Sequence, residues 1–217
     1  MSEQATSNST EWCDLIRDIK ENVSDGRGRL ALAAEHPNVK PRFVSFIDQL
    51  AYEFECIQQL RVLTAWAKVT LATDDSKTRL LNCLREEGFH ISHKAEGIIH
   101  QEAFRISTER TTIGLYRRRV DDLGFRSGAR FDEILARLDQ AGFCTCPNET
   151  PLQLRRHYKE QPKNEWLTVI SEPIVGPDGE PSILTVANNS NGLSVYGRYA
   201  RPDSLFLPEQ QLVFCLK

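Results

Sequence analysis

Few residues in this chain combine the types and spacing that chemistry needs, and the clearest set is His93, Glu96 and His100. At i, i+3 and i+7 they stack two imidazoles and a carboxylate on one helical face, with His90 just ahead. Such a set can ligate a divalent metal and activate a bound water. A metal site inside a helical body also draws ligands from a facing helix, and the apolar seam at 43–57 offers none. The three residues therefore read first as the polar border of an apolar stripe, and a metal-dependent enzyme built on them is the weakest of the readings below.

Cys144-Thr-Cys146, with His157 downstream, is a second candidate. One intervening residue is tighter than a zinc knuckle, and no fourth ligand is evident. The pair reads as two loop thiols, free for redox chemistry. Cys13, Cys56, Cys83 and Cys215 are scattered through apolar patterns, which suits buried thiols in a reducing compartment. No G-x-S-x-G, Walker A or H-E-x-x-H motif occurs, and Gly124, Gly128 and Gly142 are too far apart to cradle a phosphate. Neither a catalytic residue nor a cofactor is expected.

The third candidate is the stretch LYRRRVDDLG at 115–124. Read as a helix, it places Tyr116 and Val120 inward and fans Arg117, Arg118 and Arg119 around the solvent side. Asp121 and Asp122 follow Arg117 and Arg118 by four, a spacing that permits intrahelical ion pairs. A solvated, self-neutralising face is the favoured reading. The functional one is a docking surface for an acidic partner or RNA, extended by Arg105, Arg110, Arg130, Arg137, Arg155 and Arg156. Residues 111–142 also resemble a winged helix-turn-helix at the level of pattern: two helices, a glycine-bearing turn, then Leu138-Asp-Gln-Ala-Gly-Phe leading toward a strand. That resemblance implies DNA or RNA binding through residues 105–160. Against it, the second helix sets Arg130 and Arg137 against Asp132, Glu133 and Asp139, a poor match to a phosphate-lined groove. Finally, Asn188-Asn-Ser-Asn-Gly192 and Tyr196-Gly-Arg-Tyr199 suit either tight turns or loops that bind a partner or a sugar.

These side chains need elements to hold them. Trp12, Leu15, Ile16, Ile19 and Val23 predict a helix after Ser9 or Thr10, and a short one follows at 28–35. Phe43, Ile47, Leu50, Phe54 and Ile57 predict a packing seam on a long helix over 42–73. That seam loses its regular steps toward Leu60, Leu63, Ala67 and Leu71. Further helices are expected after Ser76, from Ser92 to Ile106, over 111–123 and over 129–141. A helical turn or two is expected near 151–160. From Trp166, alternation and turn signals predict four antiparallel strands.

The expected fold is α+β: an N-terminal α-helical bundle with a long central helix, then a small C-terminal antiparallel sheet or open barrel. The expected segments are a polar tail at 1–9, the bundle at 10–108 and a helical hairpin at 109–143. A linker at 144–165 and a β-domain at 166–217 complete them. A net charge of −3 on 217 residues argues against a general polyanion binder. No apolar run spans a bilayer and the start lacks a secretion signal, so the expected setting is cytoplasmic, with no membrane contact. The expected function is that of a non-catalytic interaction protein, an adaptor or subunit of a larger assembly. A protein partner or a second copy is the first candidate partner, and nucleic acid the second.

Overall fold

The computed structural model describes residues 39–74 and 76–217. The expected tail at 1–9 and helices at 10–23 and 28–35 lie outside the described residues. The chain divides into two compact units, residues 1–52 and 53–217. Of the first, the described part is the opening of helix α1 (Lys40–Arg61). Everything that follows belongs to the second.

Helix α1 stops at Arg61, so the long helix expected over 42–73 is two elements. Residues Ala67–Thr70 form strand β1, with Val69 buried within it and Leu71 buried just after it. The irregular steps after Ile57 marked the end of a helix, and period-two burial takes over from there. The seam itself also differs. Within residues 53–61, Phe54 is 62% exposed, while Cys56 and Leu60 are the buried positions.

Helix α2 (Lys77–Glu86) starts at Ser76, whose side chain accepts from the Arg79 amide. Leu80, Leu81 and Leu84 are buried on one face. Strand β2 (His90–Ile91) leads into α3 (His93–His100), capped by Ser92 and shorter than the helix expected to run to Ile106. Residues Thr112–Arg119 are strand β3, where a helix was expected. The reason lies in partners and propensity together. Thr111, Thr112, Ile113 and Gly114 disfavour helix, and both edges of the segment are hydrogen-bonded, to β1 on one side and to the C-terminal strand on the other. A 3-10 turn at Asp121–Leu123 and strand β4 (Ala129–Arg130) precede helix α4 (Phe131–Gln140). Then come β5 (Phe143–Cys144), α5 (Thr150–His157), β6 (Trp166–Val169), β7 (Ile174–Val175), β8 (Pro181–Asn189), β9 (Gly192–Tyr199), β10 (Leu205–Phe206) and β11 (Gln211–Leu216).

Nine of these strands form one mixed sheet in the order β1-β3-β11-β6-β8-β9-β2, with β5 beside β11 and β7 beside β8. The sheet curls into a half-barrel. This overturns the expected bundle with a small separate sheet. Strand β11 pairs antiparallel with β3 and parallel with β6, so the C-terminal strands share a sheet with residues 67–70 and 112–119. The centre of the sheet is buried on both faces. Leu212 to Cys215 are all buried in succession, as are Ser182 to Ala187. A continuous apolar run is the mark of a strand covered on both sides, where a half-exposed strand alternates.

Helices α2, α3 and α5 cover one face, where Leu84, Ile98, Leu152 and Leu154 meet Leu115, Leu184, Val186 and Val213. On the other face α4 brings Phe131, Ile134 and Leu138 against Ile183, Phe206, Leu212 and Phe214. Each fully buried leucine or phenylalanine contributes about 1.5–3 kcal/mol. The approach of α3 to β9 depends on Gly197. A Cβ there would stand 2.7 Å from Lys94 Cγ and 2.8 Å from Ile98 Cδ1. Substituting Gly197→Val is therefore expected to lower stability by about 1–3 kcal/mol, read as a shifted urea midpoint with unchanged slope. An unchanged midpoint would show that α3 tolerates displacement.

Candidate binding site

The three arginines do not fan around a helix. Strand alternation puts Arg117 and Arg119 on the face that carries Leu115, and Arg118 on the face that carries Tyr116. Arg117 donates to Glu165 Oε1 and Gln211 Oε1, and its guanidinium lies over the Trp66 ring at 5.2 Å. Arg118 Nη1 donates to the Arg117 carbonyl at 3.0 Å. Arg119 pairs with Asp121 at 2.6 Å, and its amide donates to Asp122 Oδ2. The expected pairs from Arg117 to Asp121 and from Arg118 to Asp122 are replaced by contacts set by strand register.

The other arginines do not extend that surface. Arg130 pairs with Asp132, and Arg156 with Asp74 and Glu87. Arg137 is buried, donating to the Leu123 carbonyl at 2.6 Å and to Glu53 Oε2 at 2.7 Å. It ties α4 to α1 and is not available to a groove. Arg155 has no exposed surface. Its guanidinium donates to Gln161 Oε1, the Ala187 carbonyl and the Tyr158 carbonyl, and burial pulls its pKa down to about 10. Arg105 and Arg110 are exposed between α3 and β3. The winged-helix pattern fails at its first element, since residues 112–119 are a strand inside the main sheet, and α4 spends its apolar face on the core.

Glu96 faces Arg85 at 2.6 Å and His100 at 3.6 Å. The Arg85 hydrogen bond holds the Glu96 carboxyl below its ordinary value. Among the described residues, no group of three His, Cys, Asp or Glu side chains is placed to hold a metal ion. Cys144 and Cys146 lie against Cys215, and His157 is exposed at the end of α5.

A different set of side chains converges. The β6–β8–β9 register places Trp166, Thr168, Thr185, Tyr196 and Arg198 on one face of the sheet. They line a cavity of about 600 Å³ beside the α4 layer. Its floor is the Thr168–Thr185 hydroxyl pair at 3.3 Å, and its wall is Trp166 leaning on Tyr196, ring centres 5.0 Å apart. Tyr196 and Arg198 are each held by neighbours. The Tyr196 oxygen accepts from Asn189 at 2.9 Å and Asn191 at 3.0 Å. Burial pushes that hydroxyl up, and the hydrogen bonds from Asn189, Asn191 and Ser194 bring it below its ordinary value. Arg198 donates to Gln210 Oε1 at 2.8 Å and lies 3.9 Å over the Phe206 ring, with burial lowering its pKa. Sequence reasoning had singled out the Asn188–Gly192 turn and the Tyr196–Tyr199 run. It missed Trp166, Thr168 and Thr185, whose shared face follows from register between distant strands. The one available signal was the i, i+2 repeat of Trp166 and Thr168.

No family model, no curated protein and no solved structure matches this chain. Among the described residues, no helix is long and apolar enough to cross a membrane.

Proposed function

We propose that the protein is a non-catalytic interaction protein whose recognition surface is the open stretch of sheet around Trp166, Thr185 and Tyr196. The ligand is a small uncharged molecule with one flat apolar face and several hydroxyls, of the size of a sugar or nucleoside. The observation that carries this reading is the cavity's lining: a half-exposed Trp166 braced by Tyr196 over a hydroxyl floor, each side chain already fixed by its neighbours. A fixed aromatic wall supplies apolar contact without an ordering cost, and hydroxyls supply directional bonds.

Charge favours an uncharged ligand. Glu209 stands exposed at the rim, Glu165 is already paired with Arg117, and the Arg198 cation is committed to Gln210 and the Leu205 carbonyl. An anion would meet the Glu209 carboxylate and, among the described residues that line the cavity, no uncommitted cation. The free thiols of Cys83, Cys144, Cys146 and Cys215 suit a reducing compartment such as the cytoplasm.

The test is saturation-transfer NMR with a panel of neutral saccharides and nucleosides. At least one member is expected to bind the wild type and to bind Trp166→Ala at least about tenfold more weakly, a loss of about 1.4 kcal/mol. Trp166 is 45% exposed, so its loss leaves the core intact. A panel with no binder, or binding that survives Trp166→Ala, would sink the assignment.

A further inference from the structure

Three cysteines distant in sequence meet at one end of the sheet. Cys215 of β11 is the antiparallel partner of Cys144 of β5, and strand alternation puts Cys146 on the same side as Cys144. The Cys146 amide donates to the Ile170 carbonyl, which brings its side chain over β11. The Cys146 and Cys215 sulfurs are 2.8 Å apart, both buried in the core beneath α5. A disulfide bond needs about 2.05 Å, so the two need to close by less than about 1 Å. Cys144 differs from both. It is half-buried, its thiol donates to the Leu216 carbonyl at 3.3 Å, and it lines a surface cleft of about 420 Å³ with Leu135, Asp139 and Glu172. The single-residue spacing that was too tight for zinc is strand spacing, and it presents two thiols to a third.

We propose that Cys146 and Cys215 are a site of covalent modification, converted to a disulfide by small hydroperoxides, and that Cys144 is the thiol through which the oxidising equivalent enters. Cys144 attacks the peroxide O–O bond, giving a sulfenic acid and releasing water or an alcohol. The Cys215 thiol displaces the sulfenic hydroxyl, which leaves as water, and a Cys144–Cys215 disulfide forms. Cys146, in contact with Cys215, attacks that bond at the Cys215 sulfur. The products are the Cys146–Cys215 disulfide and a regenerated Cys144 thiol. In sum, two thiols lose two electrons and two protons, and one peroxide is reduced. Burial, with Cys215 alongside, holds the Cys144 pKa above the ordinary thiol value, and Lys217 offsets only part of that rise. Burial and the Cys215 hydrogen bond push Cys146 well above the ordinary thiol value. The entry thiol is therefore the outer one, which alone of the three lines the surface cleft.

The new bond ties the segment leading into α5 to the central strand of the sheet and closes a loop of about 70 residues, for which a melting-temperature rise of about 5–15 °C is expected.

The experiment treats the full chain with hydrogen peroxide under native conditions, alkylates the free thiols and maps the peptides. The expected product is a monomer lighter by about 2 Da with Cys146 joined to Cys215, reversed by dithiothreitol. Cys144→Ser is expected to reach the same product at least about tenfold more slowly, and Cys146→Ser to stop at the Cys144–Cys215 bond. Wild-type protein that accumulates only sulfinic or sulfonic acid at Cys144, with Cys146 and Cys215 still alkylatable, overturns the proposal. So does an undiminished rate in Cys144→Ser.

Discussion

Replacing Arg155 with methionine is expected to lower the melting temperature by about 5–15 °C, among the largest single-residue effects outside the apolar core. The guanidinium has no exposed surface, and it donates to the neutral oxygens of Gln161, Ala187 and Tyr158. Gln161 in turn donates to the carbonyls of Glu165 and Val186, so one cation joins the end of α5 to the 158–165 loop and to strand β8. Methionine keeps the apolar stem and leaves three buried acceptors without their donor, each worth about 1–3 kcal/mol. Two effects oppose. Burial disfavours the charge, as its lowered pKa shows, so methionine also removes a desolvation cost. Three charge-assisted bonds outweigh that relief, and a net loss of about 2–4 kcal/mol is expected. Arg156→Met is the comparison. Arg156 is partly exposed, Glu87 keeps Lys159, and Asp74 keeps the Thr73 hydroxyl and the Cys83 thiol as donors, so about 1 kcal/mol is expected. If the two variants melt together, Arg155 is not the anchor described here.

Glu149→Ala is expected to cost about 2–4 kcal/mol and to open two distant loops. Glu149 is fully buried. Its Oε1 accepts from the Ala72 amide at 3.0 Å and from Gln153 Nε2 at 2.7 Å, and its Oε2 accepts from the Ser107 amide at 2.9 Å. One carboxylate thus closes the exit of β1, the approach to β3 and the start of α5. Ala72 sits at φ +54, a left-handed backbone that alanine adopts only when surroundings hold it. Truncation leaves two part-buried N–H groups and the Gln153 amide without this acceptor, at about 1–3 kcal/mol each where water does not reach. Hydrogen exchange separates this from general loosening. The Ala72 and Ser107 amides are expected to lose protection by about a hundredfold, more than amides in β8. Unchanged protection at those two positions would remove Glu149 from the role. Glu149→Gln keeps the shape and one acceptor but sets an NH2 against a donor, so an intermediate loss is expected.

Neither residue stood out for the role it plays. Arg155 was read as surface because arginine usually is, and Glu149 lay unnoticed in a segment expected to be a linker. Their burial is a consequence of where β8, β1 and the loop before β3 pass, and no local spacing encodes that. The Arg117–Arg119 segment shows the same gap. Its helical reading rested on Tyr116 and Val120 four residues apart, yet β1 and β11 hydrogen-bond both its edges and make it a strand. The candidate cavity was legible only in part, through the polar turn at 188–192 and Tyr196.

What the sequence by itself determined is the local chemistry. Ser76 and Ser92 accept from amides three residues on, Leu80, Leu81 and Leu84 face inward, and Gly88, Gly142 and Gly192 adopt positive φ where elements end. The apolar face of α4 and the strands from Trp166 onward belong to the same class. Those features depend on neighbours within a few residues, whose geometry the chain carries with it. The tertiary structure decided which strands share a sheet, which cations are buried and which three thiols meet. Strand pairing joins positions up to about 100 residues apart through backbone groups that every residue possesses, so side-chain spacing leaves that choice open until the core closes.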